Sequence, residues 1–495
     1  MGLLDDLKRA LGFTTARVGE LNRSVDESAH KVRRSVDALT GQVKRSSEFF
    51  DSIEDIEVIP EYQKILQLVS AGNPLTFVSG RAGTGKSTLI RYIRHEFKGN
   101  WATVAPTGVA ALNVQGSTIH SFFRFPPRII TSEDIKPLPD RKLFAKLQLL
   151  IVDEISMVRA DLMDGIDRFL RVQRGQKNIP FGGVSVLVIG DLFQLPPVTD
   201  EEEQRVLINL GYSSGFFFFS AKLLENQEID HIELTRVFRQ KDSAFIDILD
   251  QVRVGERLSV VLPLLNSRVG EKIVNQITLC STNKDADQIN KDELMRLQSE
   301  AKVFIGRFEG KFPKDKRVPS PDNLTLKNDS MVMFTKNDVN KRWVNGTLGK
   351  IRTFGIDSIS VEVTSDENKG MVFDVQKVSW DYYEFVFNEA ENKIKPIIVG
   401  RYIQYPLMLA WAITIHKSQG KTIENIHIDL GNGAFASGQV YVALSRCRVL
   451  ERITLGRAIR ESDVKVDPRV KRFFSALHSN GSNDGTDEVE DNLPF

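Results

Sequence analysis

Four apolar runs in the first half of the chain have the length of buried strands: "LTFVSG" (75–80), "WATVAPTG" (101–108), "LQLLIVDE" (147–154) and "VSVLVIGD" (184–191). Each stops where glycine or polar residues take over, as parallel strands covered on both faces do. Between the last two, Leu162, Ile166, Phe169 and Leu170 fall on one helical face. This alternation predicts an α/β fold with functional loops at the carboxyl ends of the strands. The pattern returns in "ITLCSTNKDADQIN" (277–290), "IENIHIDLG" (423–431) and "RITLG" (452–456). In between, "WVNGTLGKIRTF", "SISVEV", "MVFDV" and "YYEFVF" read as short strands joined by turns, a β-barrel-like or sheet insertion over about 301–399.

The expected division is a first α/β domain at 51–225, a second assembled from 226–300 and 400–478, and the β-rich insertion. Both ends differ from this pattern. In residues 1–50, Val18, Val25, Val32 and Leu39 recur every seven residues, but Ser28 and Ser35 occupy the later partner positions. That predicts a helical extension, loosely docked or dependent on a partner, rather than a stable coiled coil. Membrane-surface binding through Leu3, Leu4, Leu7 and Leu11 is the weaker alternative. The composition of 479–495 predicts a disordered acidic tail. The "GFFFFS" run (215–220) predicts core packing.

At 495 residues the chain exceeds a single hydrophobic core. Its formal net charge of +1 neither requires nor excludes a nucleic-acid partner, since a basic groove can coexist with a balanced total. Cys280 and Cys447 lie far apart in sequence and build neither a thiolate metal cluster nor a disulfide framework. A cytoplasmic location is expected. Asp5 and Asp6 oppose a signal peptide, Asp6 breaks the myristoylation pattern, and no apolar run reaches a membrane span.

Chemistry enters with "GRAGTGKST" (80–88), set between the strand "LTFVS" and the apolar helix "LIRYI". It fits the GxxxxGK[ST] phosphate loop in its required strand–loop–helix context. Gly80, Gly83 and Gly85 let backbone N–H groups turn toward phosphate oxygens, Thr84 and Thr88 belong to the same cradle, and the helix N-terminus adds its dipole. Lys86 is expected on the β- and γ-phosphates and Ser87 on Mg²⁺. In "LLIVDE", Asp153 ends a buried strand where it would hold Mg²⁺, and Glu154 is placed to take a proton from an attacking water. ATP and Mg²⁺ are the expected cofactors.

Four further segments narrow the field. "APTGVAALNVQGSTIHSFF" (105–123) puts small and hydroxyl residues on loops, suited to an extended ligand. "LTRVFRQ" offers Arg236 and Arg239, "WAITIHKSQGKT" offers His416, Lys417, Ser418 and Gln419 beside Gly420, and "QVYVALSRCR" offers Arg446. In this order the set resembles a superfamily-one DNA helicase of the PIF (petite integration frequency) type, related to RecD-like motors. The resemblance runs from about Gln63 to Leu455. It includes "EYQKILQLV", the signature "LMDGIDRFLRVQRGQKNIPFGG" between "DEISM" and "GDLFQLPPV", "RWVNGTLG" and "GQVYVALSR".

The resemblance implies two RecA-like domains with ATP between them. Gln63 would read adenine, and Gly420 would join the phosphate-loop residues in holding nucleotide. Lys86, Ser87, Asp153, Glu154 and Gln194 would come from the first domain, and Arg239 and Arg446 from the second as arginine fingers. Single-stranded or forked DNA would touch Thr107, Gly108, Thr118, His120, Asn345, Gly346, His416, Lys417 and Ser418. Residues 121–146 would form a wedge subdomain, and the insertion would close over the DNA. The implied activity is that of a monomeric 5′-to-3′ DNA helicase in replication, recombination or repair. An RNA helicase of the same superfamily and a nucleotide-dependent DNA-binding clamp without unwinding are the alternatives.

Two details complete the reading. "GDLFQLPPV" holds a neutral amide, Gln194, on a loop stiffened by Pro196 and Pro197, suited to sensing phosphate or the attacking water. The terminal "DEVEDNLPF" resembles the C-terminal tip of bacterial single-stranded-DNA-binding proteins. That implies docking to proteins that recognise such tips and a bacterial or phage host. The internal alternative is that its acids occupy the motor's own DNA groove.

Overall fold

The computed structural model describes residues 56–481, apart from 139–140, 226, 228, 241, 274–275, 313–317 and 366–367. The expectations for residues 1–50 and for the acidic tail lie outside the described residues.

Six parallel strands form the first sheet: β1 (Leu75–Gly80), β2 (Trp101–Ala105), β3 (Ser117–Thr118), β4 (Leu149–Val152), β5 (Ser185–Gly190) and β6 (Asp230–Leu234). Their order is β3-β2-β4-β5-β1-β6. The four expected apolar runs are β2, β4, β5 and β1, the centre of this sheet, and the last three are buried end to end. The flanking strands carry weaker signals. β3 has two residues, and β6, "DHIEL", alternates burial as an edge strand does. Because β6 pairs with β1 from Thr76↔Asp230 to Gly80↔Leu234, the first domain extends past the expected boundary at 225.

The second sheet begins with β7 (Ile277–Cys280), and the chain then enters the insertion. Its strands are β8 (Lys302–Ile305), β9 (Arg307–Gly310), β10 (Asn323–Leu326), β11 (Met331–Phe334), β12 (Leu348–Phe354), β13 (Ser358–Val363), β14 (Val372–Gln376), β15 (Val378–Asn388), β16 (Lys393–Gln404) and β17 (Leu407–Leu409). They make three small sheets: β14-β13-β12-β11-β17, β15-β16-β9 and β10-β8. β16 crosses the expected limit at 399, so the insertion runs to Leu409. The chain then completes the second sheet with β18 (Ala412–Thr414), β19 (Ile426–Asp429) and β20 (Ile453–Leu455), in the parallel order β18-β7-β19-β20.

Aromatic packing ties distant segments to the first sheet. Phe217 and Phe218 of "GFFFFS" are buried in its core, as expected. The helix Pro468–Gly481, whose first part was expected in the second domain, sends Val470 and Phe474 into that same core. Phe473 stacks on Phe219 with ring centroids 4.3 Å apart, and Phe474 on Phe193 at 5.3 Å. In the expected wedge segment, Phe122, Phe123, Phe125 and Phe144 cluster on Phe169 of the helix Ala160–Arg174, so its apolar side is continuous with the first domain. The β15–β16 hairpin reaches the same place: Phe385 packs edge-on to Phe122 and Trp101, and Ile394 N donates to Asn100 Oδ1 at 2.8 Å.

Candidate nucleotide and nucleic-acid site

The loop after β1 has the backbone its glycines foretell. Gly83 and Gly85 both sit at φ +86°, and the helix Lys86–Glu96 starts directly after them. Lys86 Nζ donates to the carbonyls of Gly80 and Arg81 at 2.7 and 2.8 Å. Thr84, fully buried, donates to Arg81 O at 3.0 Å. Ser87 and Thr88 occupy the helix's first turn, with Ser87 exposed. Gln63 is exposed on the helix Pro60–Ala71. Its neighbour Tyr62 is the residue that reaches the loop, donating to Gly85 O at 2.9 Å. Sequence reading passed over Tyr62.

The acidic pair stands at the end of β4. Asp153 is 8% exposed, and burial together with the neighbouring Glu154 charge pushes its carboxyl up to about 7. Burial also raises Glu154, against the pull of Lys86 and Arg446. Glu154 adopts the left-handed backbone conformation (φ 52°, ψ 47°), which costs energy in a non-glycine residue and turns its side chain out of the strand direction of Asp153. Burial lowers the Lys86 ammonium, and the charges of Asp191, Glu154 and Asp153 oppose that shift. A buried carboxylate pair beside a lysine fits a divalent cation. Among the described residues no three His, Cys, Asp or Glu converge as a metal cage. Mg²⁺ at phosphate sites needs none, since one or two carboxylates, phosphates and water suffice.

The second sheet brings its residues onto this pair. Gln419, following the helix Ile415–Ser418, donates to Glu154 Oε2 at 3.2 Å and to Gln194 Oε1 at 3.4 Å. Gly420 beside it has φ +75°. Gly438 (φ +73°) lies so close that a Cβ there would meet Phe193 O at 2.3 Å and Gln194 O at 2.6 Å. Gln419 was named in its motif without a partner or a role, and Gly438 stands unremarked in "GQVYVALSR". Arg446 is 1% exposed, and its guanidinium donates to Val442 O, Ser418 O, Lys421 O and Ser445 Oγ. Burial, then the nearby Arg239, pushes it down to about 9, so it stays charged at neutral pH. Arg239 was expected from the second domain. It instead follows β6 on a strap laid over the phosphate loop, where Phe238 N donates to Gly83 O at 2.8 Å and Arg239 Nη1 reaches Ser445 O at 3.4 Å.

The expected DNA contacts gather at the carboxyl ends of both sheets. Thr107 caps the helix Gly108–Asn113, and Thr118 caps Ile119–Phe123, which carries His120. His416 stacks on Phe435, and Lys417 is exposed. Asn345 Oδ1 accepts from Lys421 Nζ at 2.8 Å, and Gly346 packs against Thr422 O, joining the insertion to the second sheet's loop. Two residues sit deeper than expected. Thr118 is 4% exposed, with its hydroxyl donated to Ser121 Oγ. Ser418 is fully buried, its hydroxyl donated to Ile415 O and its carbonyl accepting from Arg446. Ser418 thus supports the Arg446 guanidinium through its backbone, and its own hydroxyl is spent inside its helix.

Comparison with known proteins places the chain among helicases. Residues 57–261 match a PIF1-like helicase family model. The ATP-dependent DNA helicase Pif1 of Bdellovibrio bacteriovorus is 30% identical over 434 residues, covering 85% of this chain and 92% of that protein. The Homo sapiens ATP-dependent DNA helicase PIF1 is 33% identical over 441 residues, covering 84% of this chain but only 63% of the human protein. A Bacteroides Pif1 crystallised with ADP-AlF4 superposes with a TM-score of 0.79 at 36% identity, covering 86% of this chain and 98% of that one. The Bacteroides protein bound to ssDNA gives 0.63 at 37% identity and the same coverage.

Proposed function

The chain belongs to the PIF1-like helicase family, and from that premise we propose that it is an ATP-dependent DNA helicase, translocating 5′ to 3′ on single strands and unwinding duplexes in replication, recombination or repair. The observation that carries this reading is the convergence on Glu154 and Gln194 of Gln419 and Gly438, brought by the opposite sheet. A site completed only when two sheets meet is built to couple hydrolysis to their relative movement.

In this reading Lys86 and the loop's N–H groups hold the phosphates, and Ser87 with Asp153 holds Mg²⁺. The ion supplies neutralisation of phosphate charge when bound. Glu154 accepts the proton of the attacking water, oriented by Gln419 and watched by Gln194. Arg239 and Arg446 supply positive charge as arginine fingers, roughly 10³ to 10⁵ in rate for such groups. DNA runs over Thr107, Gly108, His120, Asn345, Gly346, His416 and Lys417, with residues 121–146 as the wedge and the β15–β16 hairpin closing the path. The deciding experiment is unwinding of duplexes carrying a 5′ or a 3′ single-stranded tail, with monomer concentration varied. Unwinding from the 3′ tail alone would overturn the polarity, and a dependence on dimerisation would overturn the monomeric motor.

The sequence "DEVEDNLPF" supports one partner. An acidic run followed by Leu493, Pro494 and Phe495 suits a basic pocket with an apolar floor. We propose that it docks to proteins that recognise single-strand-binding-protein tips in a bacterial or phage host. A peptide of these nine residues should compete with such a tip; failure to compete with any tip partner would remove the proposal.

A further inference from the structure

One hydroxyl, that of Tyr441, joins two nucleotide-binding segments of the first domain to the element that carries Arg446. Tyr441 is 2% exposed within the helix Gln439–Leu444. Its oxygen accepts from the Ala82 N–H of the phosphate loop at 3.0 Å and donates to Asp191 Oδ2 at 3.1 Å. Asp191, 1% exposed, also accepts from Arg253 Nε and Nη2 at 3.1 and 3.0 Å, from Phe193 N at 3.2 Å and from Gln194 Nε2 at 3.3 Å.

The peptide between Arg81 and Ala82 works on both its sides. Its carbonyl accepts from Lys86 Nζ, and its N–H donates to Tyr441. A planar peptide cannot turn one side without the other. If Lys86 leaves that carbonyl for a phosphate, only the Thr84 hydroxyl still holds it, and any tilt of the unit is met by Tyr441. Arg446 lies just past the C-terminus of the helix that carries Tyr441 and is tied back to it: Val442 O, one residue beyond the tyrosine, accepts from Arg446 Nε at 2.8 Å. A buried tyrosine with a satisfied hydroxyl is common in cores. Here both partners lie in segments that hold or sense nucleotide, and the ring rides with the finger.

We propose that Tyr441 is a positioning residue through which the phosphate loop sets the Arg446 finger. The proposal rests on the ATPase reading above, and its test separates the two. If the wild-type protein shows no DNA-stimulated ATP hydrolysis, that reading fails. The test of Tyr441 is Tyr441→Phe, which keeps ring and packing and removes only the hydroxyl.

With saturating single-stranded DNA, kcat should fall by about tenfold or more while KM for ATP stays within about threefold. The preference for ADP–aluminium fluoride over ADP, measured by competition with a fluorescent nucleotide, should fall by a similar factor, since that complex demands a placed finger. A role confined to packing would lower the melting temperature and leave the preference alone. Values of kcat and preference within about twofold of wild type would overturn the proposal. A second measurement needs no variant: in the wild-type protein the Ala82 amide should change its hydrogen-exchange protection between the ADP and ADP–aluminium fluoride states. Equal protection in the two states would also overturn it.

Discussion

The side-chain amide of Gln419 lies 3.2 Å from the Glu154 carboxylate, a hydrogen bond that crosses from one sheet's loops to the other's. It favours the ionised carboxylate and opposes the burial that raises Glu154. Gln419→Ala should therefore lower kcat and move the acid limb of the pH–rate profile to higher pH, because Glu154 then holds its proton longer. Glu154→Gln should bind ATP and lose turnover by roughly 10² or more, since the amide cannot accept the proton. A Gln419→Ala profile whose acid limb stays in place would show that this contact does not tune the base.

Asp153 supplies a stability prediction with a defined sign. Burial and the Glu154 charge hold its carboxyl at about 7, against an ordinary value of 3.8. The folded protein then binds this proton more tightly than the unfolded chain. Stability is lost as pH rises from about 4, where the unfolded carboxyl ionises, to about 7, where the folded one does. In metal-free protein at pH 8, Asp153→Asn should raise the melting temperature while abolishing hydrolysis. At pH 4 the two proteins should melt together. A lower melting temperature for the variant at pH 8 would mean that the ionised carboxylate is stabilising.

Arg446 and Arg239 should separate when tested. Arg446 is fully buried and satisfies backbone carbonyls at Val442, Ser418 and Lys421, so Arg446→Ala leaves a cavity and unpaired acceptors. It should lose both turnover and several degrees of melting temperature. Arg239 makes a single long side-chain hydrogen bond among the described residues, to Ser445 O, and Arg239→Ala keeps the Cβ that packs on Gly83, so it should lower turnover with little change in melting. Equal destabilisation by the two substitutions would refute the distinction.

What could be read from the sequence follows from the physics of each signal. Buried central strands announce themselves as apolar runs, and the phosphate loop and acidic pair are contiguous, so both were legible. β6 was missed because an edge strand alternates polar and apolar positions, here Asp230 and His231 before Ile232. Arg239 falls on the connection between β6 and the helix Ser243–Val254, so its place over the phosphate loop depends on where β6 pairs. Tyr62, Gln419, Gly438 and Tyr441 act through contacts between residues far apart in sequence, and only the fold supplies the partner. Ser418 shows the converse. A serine inside a DNA-binding motif is read as a contact, yet a one-turn helix satisfies its hydroxyl locally.

The helix Pro468–Gly481 supplies a prediction that no motif suggests. Phe193, beside Gln194, is held on two sides: the Arg253 guanidinium lies 4.4 Å from its ring centroid, and the Phe474 ring stacks at 5.3 Å. Arg253 is fixed in turn by its ion pair with Asp191. Phe474 therefore braces the loop that carries Gln194 from the side of the first core. Removing its ring should cost about 3 kcal/mol, the range for large-to-small core substitutions. It should also widen the loop's motion, so that both Phe474→Ala and Gln194→Ala should lower the DNA stimulation of ATP hydrolysis while ATP binding persists. Phe474→Leu, which keeps apolar volume but not the stacked face, should recover most of the melting temperature and only part of the stimulation. If Phe474→Ala melts early yet is stimulated by DNA as strongly as wild type, the helix serves the core alone and the sensor loop owes it nothing.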